Sequence, residues 1–120
     1  MALALGFAAV TLAGFALAAA GILGMFHRLK PNPFAGIRTP YTSSSEQAWY
    51  DTHRFAGPIL ALGGAAVLAA GLSCLPFAAA GVLPSGFAVA VLLILAVVTI
   101  GVAIAAWRHG TSRARAAAGP

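Results

Sequence analysis

The sequence predicts an all-α integral membrane protein, with three transmembrane helices and a cytoplasmic amphipathic helix in the loop between the first and the second. The chain of 120 residues is 61% hydrophobic and only 8% charged, and its mean hydropathy is +0.94. A soluble domain carries about a quarter charged residues, so lipid must be the main solvent of this chain. Three long apolar runs lie at about residues 3–26, 55–77 and 87–107. We expect one membrane domain over residues 1–120, since a chain of this length forms a single domain.

The first apolar run has no charge between Ala2 and Phe26. About 24 residues at 1.5 Å each give ~36 Å of helix, which crosses a hydrocarbon core of ~30 Å with some tilt. A secretory signal peptide is the alternative, because Ala18-Ala19-Ala20 resembles a cleavage site. A signal peptide also needs a basic segment before a shorter apolar core, and Met1-Ala2-Leu3-Ala4 has no charge. A membrane anchor is therefore favoured.

The second and third runs are separated by a segment typical of a turn, residues 81–86, which contains two glycines and a proline. The third run is rich in Val, Ile and Leu, and β-branched residues form helices poorly in water. In lipid an isolated segment must satisfy its own backbone hydrogen bonds, so both runs are predicted to be helical.

The basic residues predict the orientation. Four Lys or Arg lie in the loop over residues 27–54, three lie in the tail over residues 108–120, and none lies elsewhere. By the positive-inside rule the loop and the tail are cytoplasmic, and the N-terminus is outside. The basic residues of the tail are explained by this topology, although contact with anionic lipid is the alternative. The net charge of +5 therefore indicates a membrane rather than direct binding of nucleic acid.

Glycines recur at intervals of seven residues in the first two runs, which places each set on one helix face: Gly14 and Gly21, then Gly57, Gly64 and Gly71. Small residues let helices approach closely enough for van der Waals packing in lipid. These faces are expected to pack the three helices against each other. The alternative is that one face binds another membrane protein or a second copy of the chain.

The loop carries both acidic residues of the protein, Glu46 and Asp51. Ser43 and Glu46 have the spacing of a capping box, which predicts a helix that begins near Ser44 and lies at the headgroup boundary. On that helix Trp49 and His53 share one face.

The polar residues of the loop fit structural roles better than catalytic ones. Arg38 is suited to a phosphate or a carboxylate, but pairing with Glu46 or Asp51 is favoured. His53 lacks partners at the spacing of a metal site, and the Ser43–Ser45 run is typical of a helix cap rather than a hydrolase. We therefore expect no catalytic residue, no metal site, no cofactor and no enzymatic activity.

The loop resembles the signature of the SdpI family of bacterial membrane proteins. In that family an Asn precedes a Gly-Ile-Arg-Thr-Pro-aromatic-Thr run, followed by Ser, Glu, Trp and a Thr-His-Arg triplet. The same order stands here over residues 32–57, with Tyr41 where tryptophan is usual. The resemblance implies that the family-type positions form a partner-binding motif: Asn32, Gly36, Arg38, Thr39, Pro40, Glu46, Trp49, His53 and Arg54.

The resemblance also implies a function in the bacterial inner membrane. The founding member of the family gives immunity to a secreted toxin and recruits a soluble transcriptional repressor to the membrane. We therefore expect immunity to an envelope-acting toxin, signalling through a cytoplasmic regulator, or both. The alternative is a small accessory subunit of a larger membrane complex. Transport is disfavoured, because no Asp, Glu, Lys or Arg lies within a predicted span.

Overall fold

The protein is described here by a computed structural model that covers residues 1–119. In this part of the chain three helices run up, down and up, with no strand: α1 (Ala2–Met25), α2 (Glu46–Ala79) and α3 (Ser85–Ala118). The bundle measures 56 × 20 × 20 Å. All three helices are long and apolar enough to cross a membrane, so the predicted all-helical, three-span fold is confirmed.

The glycine faces of α1 and α2 lie against each other. A Cβ atom placed on Gly21 would lie 2.6 Å from the carbonyl oxygen of Gly57, and one placed on Gly64 would lie 2.7 Å from that of Gly14. Gly71 lies against Thr11 in the same interface. Only glycine permits so close an approach of two helix backbones. The sequence left two uses open for these glycine faces, packing within the chain or binding an external partner. In the structure the two faces pack against each other within the chain.

The third helix packs mainly on α2 and touches α1 much less. Near the end of the bundle away from the loop, Phe7 of α1, Ala78 of α2 and Leu95 of α3 form a small buried cluster. Near the loop end, Gly110 lies against the carbonyl of Thr52. Most of the large apolar side chains of α3 remain exposed, as expected for a helix that faces lipid.

The predicted separate loop helix is not found. Residues 46–54 form the first turns of α2, which continues through Pro58 and Pro76 to Ala79. A proline inside a helix removes one backbone hydrogen bond, but a transmembrane helix tolerates the loss when its neighbours hold it in place. Trp49, His53 and Ala56 are buried along one continuous face, and this packing keeps the segment in line with the span.

Two helices extend well beyond a hydrocarbon core of ~30 Å, because 34 residues make ~51 Å of helix. The polar first turns of α2 and the basic last turns of α3 lie at the same end of the bundle, since the helices alternate in direction. The predicted basic tail is thus a continuation of α3 as far as Ala118, and its last residue, Pro120, lies outside the described residues.

The C-terminal ends of α1 and α2 are closed in the same way. After α2, Gly81 has φ +73°, its N–H bonds the carbonyl of Ala78, and the next N–H, that of Val82, bonds Phe77. This pattern is a Schellman motif, in which glycine is the usual left-handed residue. After α1 the left-handed position is held by His27, at φ 61°, a conformation that costs a non-glycine residue roughly 1–2 kcal/mol.

Candidate functional site

The candidate site is the loop over residues 26–45 together with the first turns of α2, a unit that we call the braced loop. The side chains of Trp49 and His53 hydrogen-bond to backbone groups 20 and 16 residues away in the sequence. The loop is thus a folded structure held on α2.

His53 is the central contact of the braced loop. Its side chain is 1% exposed, its Nε2 accepts a hydrogen bond from the N–H of Ile37 at 2.8 Å, and its Nδ1 lies 2.7 Å from the carbonyl oxygen of Trp49. A nitrogen that accepts from an N–H carries no proton, so the proton of the neutral ring is on Nδ1, which donates to Trp49.

His53 precedes the apolar part of α2, residues 55–77, and its protonation state is set by its surroundings. Burial lowers the pKa of His53 below the usual 6.5, and the hydrogen bond to the Trp49 carbonyl opposes that change. The neutral ring is the form that the hydrogen bond from Ile37 requires. Electrostatics and geometry therefore favour the same protonation state.

Trp49 makes the second fastening. Its side chain is 2% exposed, and its indole Nε1–H donates to the carbonyl of Leu29 at 2.8 Å. The rings of Trp49 and His53 also contact each other, with centroids 4.3 Å apart. One turn of α2 thus holds the loop at two points, Leu29 and Ile37.

The segment between these two points is shaped by Asn32, Gly36 and Arg38. The Asn32 Oδ1 accepts from the N–H groups of Phe34 and Ala35 at 2.9 and 2.7 Å, which forms a local turn. Gly36 has φ +103°, a backbone conformation that other residues rarely adopt, and a Cβ there would lie 2.6 Å from His53 Nε2. Both the conformation and the lack of space exclude a side chain at this position. Arg38 donates to the carbonyl of Pro33, rather than to Glu46 or Asp51 as expected.

A threonine pair closes the loop before α2. The hydroxyl of Thr42, which is buried, donates to the carbonyl of Ile37 and accepts from the N–H of Thr39, both at 2.8 Å. The cap of α2 is Ser45, whose Oγ accepts from the N–H of Ala48 at 3.0 Å. The predicted capping box of Ser43 and Glu46 is therefore wrong, because the Thr39–Thr42 turn moves the helix start by two residues.

Aromatic contacts join the braced loop to its neighbours. The ring of His27, at the left-handed end of α1, stacks on that of Tyr50 with centroids 3.8 Å apart, which offsets the backbone cost at this position. The guanidinium carbon of Arg115, near the end of α3, lies 4.2 Å from the centroid of the Tyr41 ring. All three helices therefore contribute to this end of the molecule.

The outer surface of the braced loop has a shallow depression of about 320 Å³, lined by Pro31, Thr42, Ser43, Ser45, Glu46 and Trp49. We call it the loop depression. Glu46 is exposed at its edge, as are the hydroxyl-bearing residues Ser43 and Ser45. Phe34 is 87% exposed on another part of the loop. The arrangement offers hydrogen-bond acceptors and one carboxylate to a ligand.

The family-type residues thus fall into two groups. Asn32, Gly36, Thr39, Trp49 and His53 make the internal contacts described above. The other four, Arg38, Pro40, Glu46 and Arg54, have exposed side chains, although Arg38 also donates to the carbonyl of Pro33 and Arg54 lies over the ring of Phe55. Within residues 1–119, no group of three or more His, Cys, Asp or Glu side chains is arranged to hold a metal ion.

Sequence reasoning missed three contributors to the site. Thr42 stood in the signature but received no role, Leu29 offers only its backbone carbonyl, and His27 received no role. The signal for His27 was its position directly after an apolar run with no glycine to end the helix.

One comparison with known proteins identifies the family of this chain. A search of curated proteins and a search of solved structures returned no match. The sequence model of the SdpI/YfhL protein family matches residues 28–106, which is about two thirds of the chain and includes most of the braced loop, all of α2 and most of α3. The chain is a multi-pass membrane protein that belongs to the SdpI/YfhL family.

Proposed function

We propose that this protein is a non-catalytic membrane receptor or immunity protein of the SdpI type, which binds a protein partner on the surface of its braced loop. The single observation that supports the proposal is the fastening of the loop by Trp49 and His53 to α2. Ordering a free loop costs roughly 1–2 kcal/mol for each residue that is fixed on binding. A loop that is already ordered avoids much of that cost when a partner binds.

The loop depression indicates the chemistry of the partner segment. It presents the Glu46 carboxylate and serine hydroxyls around a floor that includes part of Trp49. A segment with a Lys or Arg side chain fits the carboxylate, because a charge-assisted hydrogen bond forms between them. We propose that a soluble regulator or another membrane protein supplies this segment. The partner would act from the cytoplasmic side, because a loop with an excess of basic residues favours that side of the membrane.

The test is purification in mild detergent, followed by mass spectrometry of proteins that elute with the chain in equal amount. Glu46→Gln should reduce partner recovery about tenfold or more, since a charge-assisted hydrogen bond contributes ~1.5–3 kcal/mol. The control is Gln47→Ala, which changes an exposed neighbour outside the depression. A partner recovered equally with Glu46→Gln, Gln47→Ala and the unmodified chain would contradict the loop as its binding surface.

The immunity part of the proposal has its own test. A strain that lacks the gene should become sensitive to an envelope-acting toxin produced by neighbouring cells, and the unmodified chain should restore resistance. Glu46→Gln should restore less resistance than Gln47→Ala at equal membrane abundance. If the deletion strain survives the toxins as well as its parent strain does, immunity to the toxins tested is excluded. Signalling then stays as the proposed role.

An accessory subunit of a larger membrane complex is the second candidate. The observation that favours it is the exposed apolar face of α3, which includes Leu93, Val97 and Ile100. Since the glycine faces of α1 and α2 are occupied by each other, another membrane protein or a second copy would pack on α3. Recovery of a large membrane complex, lost with Val97→Asn but kept with Glu46→Gln, would support this candidate over the first.

A further inference from the structure

A second depression lies on α3, where the helix leaves the apolar run. It has a volume of about 350 Å³ and is lined by Trp107, Arg108, Thr111, Ser112 and Arg115. We call it the α3 depression. It begins at the tryptophan that ends the apolar run, and tryptophan side chains favour the headgroup level of a bilayer. The depression therefore lies where lipid headgroups meet the protein.

The charges of the α3 depression are of one sign. Arg108 and Arg115 line it, and α3 has no acidic residue along its whole length. Both acidic residues of the described chain, Glu46 and Asp51, are on α2. Guanidinium groups bind phosphate oxygens with two parallel hydrogen bonds, and Ser112 adds an exposed hydroxyl donor. The depression is thus suited to an anionic group that carries a phosphate.

One of the two arginines is held in place by the braced loop. The guanidinium of Arg115 lies over the ring of Tyr41, a cation–π contact that uses the charge of the group rather than its hydrogen-bond donors. A positioned side chain loses less conformational entropy on binding than a mobile one. Arg113 makes a contact of the same kind with Phe55, but it lies roughly 160° around the helix from Arg115 and does not line the depression.

We propose that the α3 depression binds the phosphate headgroup of an anionic glycerophospholipid, with Arg108 and Arg115 on the phosphate and Trp107 at the boundary with the acyl chains. This inference goes beyond the proposed function and does not depend on it. It treats the basic end of α3 as a lipid site, in addition to a determinant of topology.

The test is native mass spectrometry of the full chain, titrated with phosphatidylglycerol and, separately, phosphatidylcholine. The unmodified chain should bind phosphatidylglycerol more tightly. Arg108→Gln with Arg115→Gln should weaken that binding roughly 100-fold, because each substitution removes a charge-assisted hydrogen bond to the phosphate. Arg113→Gln is the matched control, with the same loss of charge on the same helix, and should change the affinity by no more than about twofold if the depression is the site.

Three results would overturn the proposal. The first is equal binding of the two lipids by the unmodified chain. The second is an equal loss of affinity per arginine in Arg108→Gln, Arg115→Gln and Arg113→Gln, which indicates only a diffuse attraction. The third is binding of inorganic phosphate as tightly as phosphatidylglycerol, which makes a soluble phosphate the ligand. Arg108 makes no stacking contact of the kind that holds Arg115, so its single variant tests the site even if Arg115→Gln fails to fold.

Discussion

Single side chains hold the braced loop, and His53 is the clearest case. The sequence offers it no partners at the spacing of a metal site, and both of its ring nitrogens are engaged in hydrogen bonds to the backbone. The contact between His53 and Gly36 explains two positions of the signature together, because the glycine leaves the space that the His53 ring fills. His53 is a positioning residue. Its substitution changes the exposed surface indirectly, because it loosens the loop that carries this surface.

His53→Phe keeps an aromatic ring beside Trp49 but leaves the Ile37 N–H without its acceptor. We expect a loss of about 1–3 kcal/mol in the free energy of unfolding, because a buried donor without a partner carries its full desolvation cost. Thermal unfolding in detergent measures the effect. His109→Phe, at an exposed position on α3, is the control and should change the stability little. Equal stability of His53→Phe and the unmodified chain would contradict the bracing role.

Acid should loosen the braced loop. The folded-state pKa of His53 is lowered, so the neutral form is the native one and the unfolded chain binds the proton more readily. The contribution of His53 is fully present above the unfolded pKa of 6.5, and it is lost as the pH falls from there through the folded pKa.

The fluorescence of Trp49 in a Trp107→Phe background follows this change directly, because the indole ring contacts His53. We expect a transition below pH 6.5 in the parent and a flat profile in His53→Phe. The same transition in both proteins would assign it to another group.

The helices were well predicted where the physical constraint is simple. An apolar run in lipid must form a helix, and all three runs do so. The start of α2 was less predictable, because the Thr39–Thr42 turn depends on contacts with Ile37 that no local pattern encodes. The continuation of the basic tail as helix depends likewise on the packing of Gly110 against Thr52 and Ala56 of α2, and Ala114, one turn further on, is also buried.

The α1–α2 interface makes the next prediction. A side chain at Gly64 would meet the backbone of α1, whereas Gly101 on α3 has nothing within 4 Å of an added Cβ. Gly64→Val should therefore separate the two helices and cost roughly 1–3 kcal/mol or more, as overpacked sites do. Gly101→Val should be nearly neutral. Thermal unfolding of both variants checks this, and equal losses would show that the close approach contributes nothing specific.

The polar and charged groups of the whole molecule are concentrated at one end of the bundle. The braced loop, both carboxylates and the basic turns of α3 lie at one end of the bundle, and the opposite end has a short turn at residues 80–84. Its charge pattern was readable from the sequence. The contacts that unite this end were not, since Leu29 with Trp49 and Tyr41 with Arg115 are pairs without a local signature.

The charge pattern predicts that this end faces the cytoplasm. In a Cys74→Ala background, single cysteines at Ser43 and Ser112 should be shielded from an impermeant thiol reagent in intact cells, and a cysteine at Ser85 should react. All three positions are exposed, so access depends on the side of the membrane. Labelling of Ser43→Cys and Ser112→Cys from outside, with Ser85→Cys protected, would reverse the orientation.

Hydrogen–deuterium exchange at the amides of residues 29–45 tests most directly whether the loop is folded on α2. The N–H groups of Phe34, Ala35, Ile37 and Thr39 donate to side chains and should exchange slowly in the unmodified chain. In His53→Phe the protection at Ile37 should disappear, while the amides within α1 and α2 stay protected. Rapid exchange throughout residues 29–45 of the unmodified chain would contradict the braced loop and remove the support for a preformed binding surface.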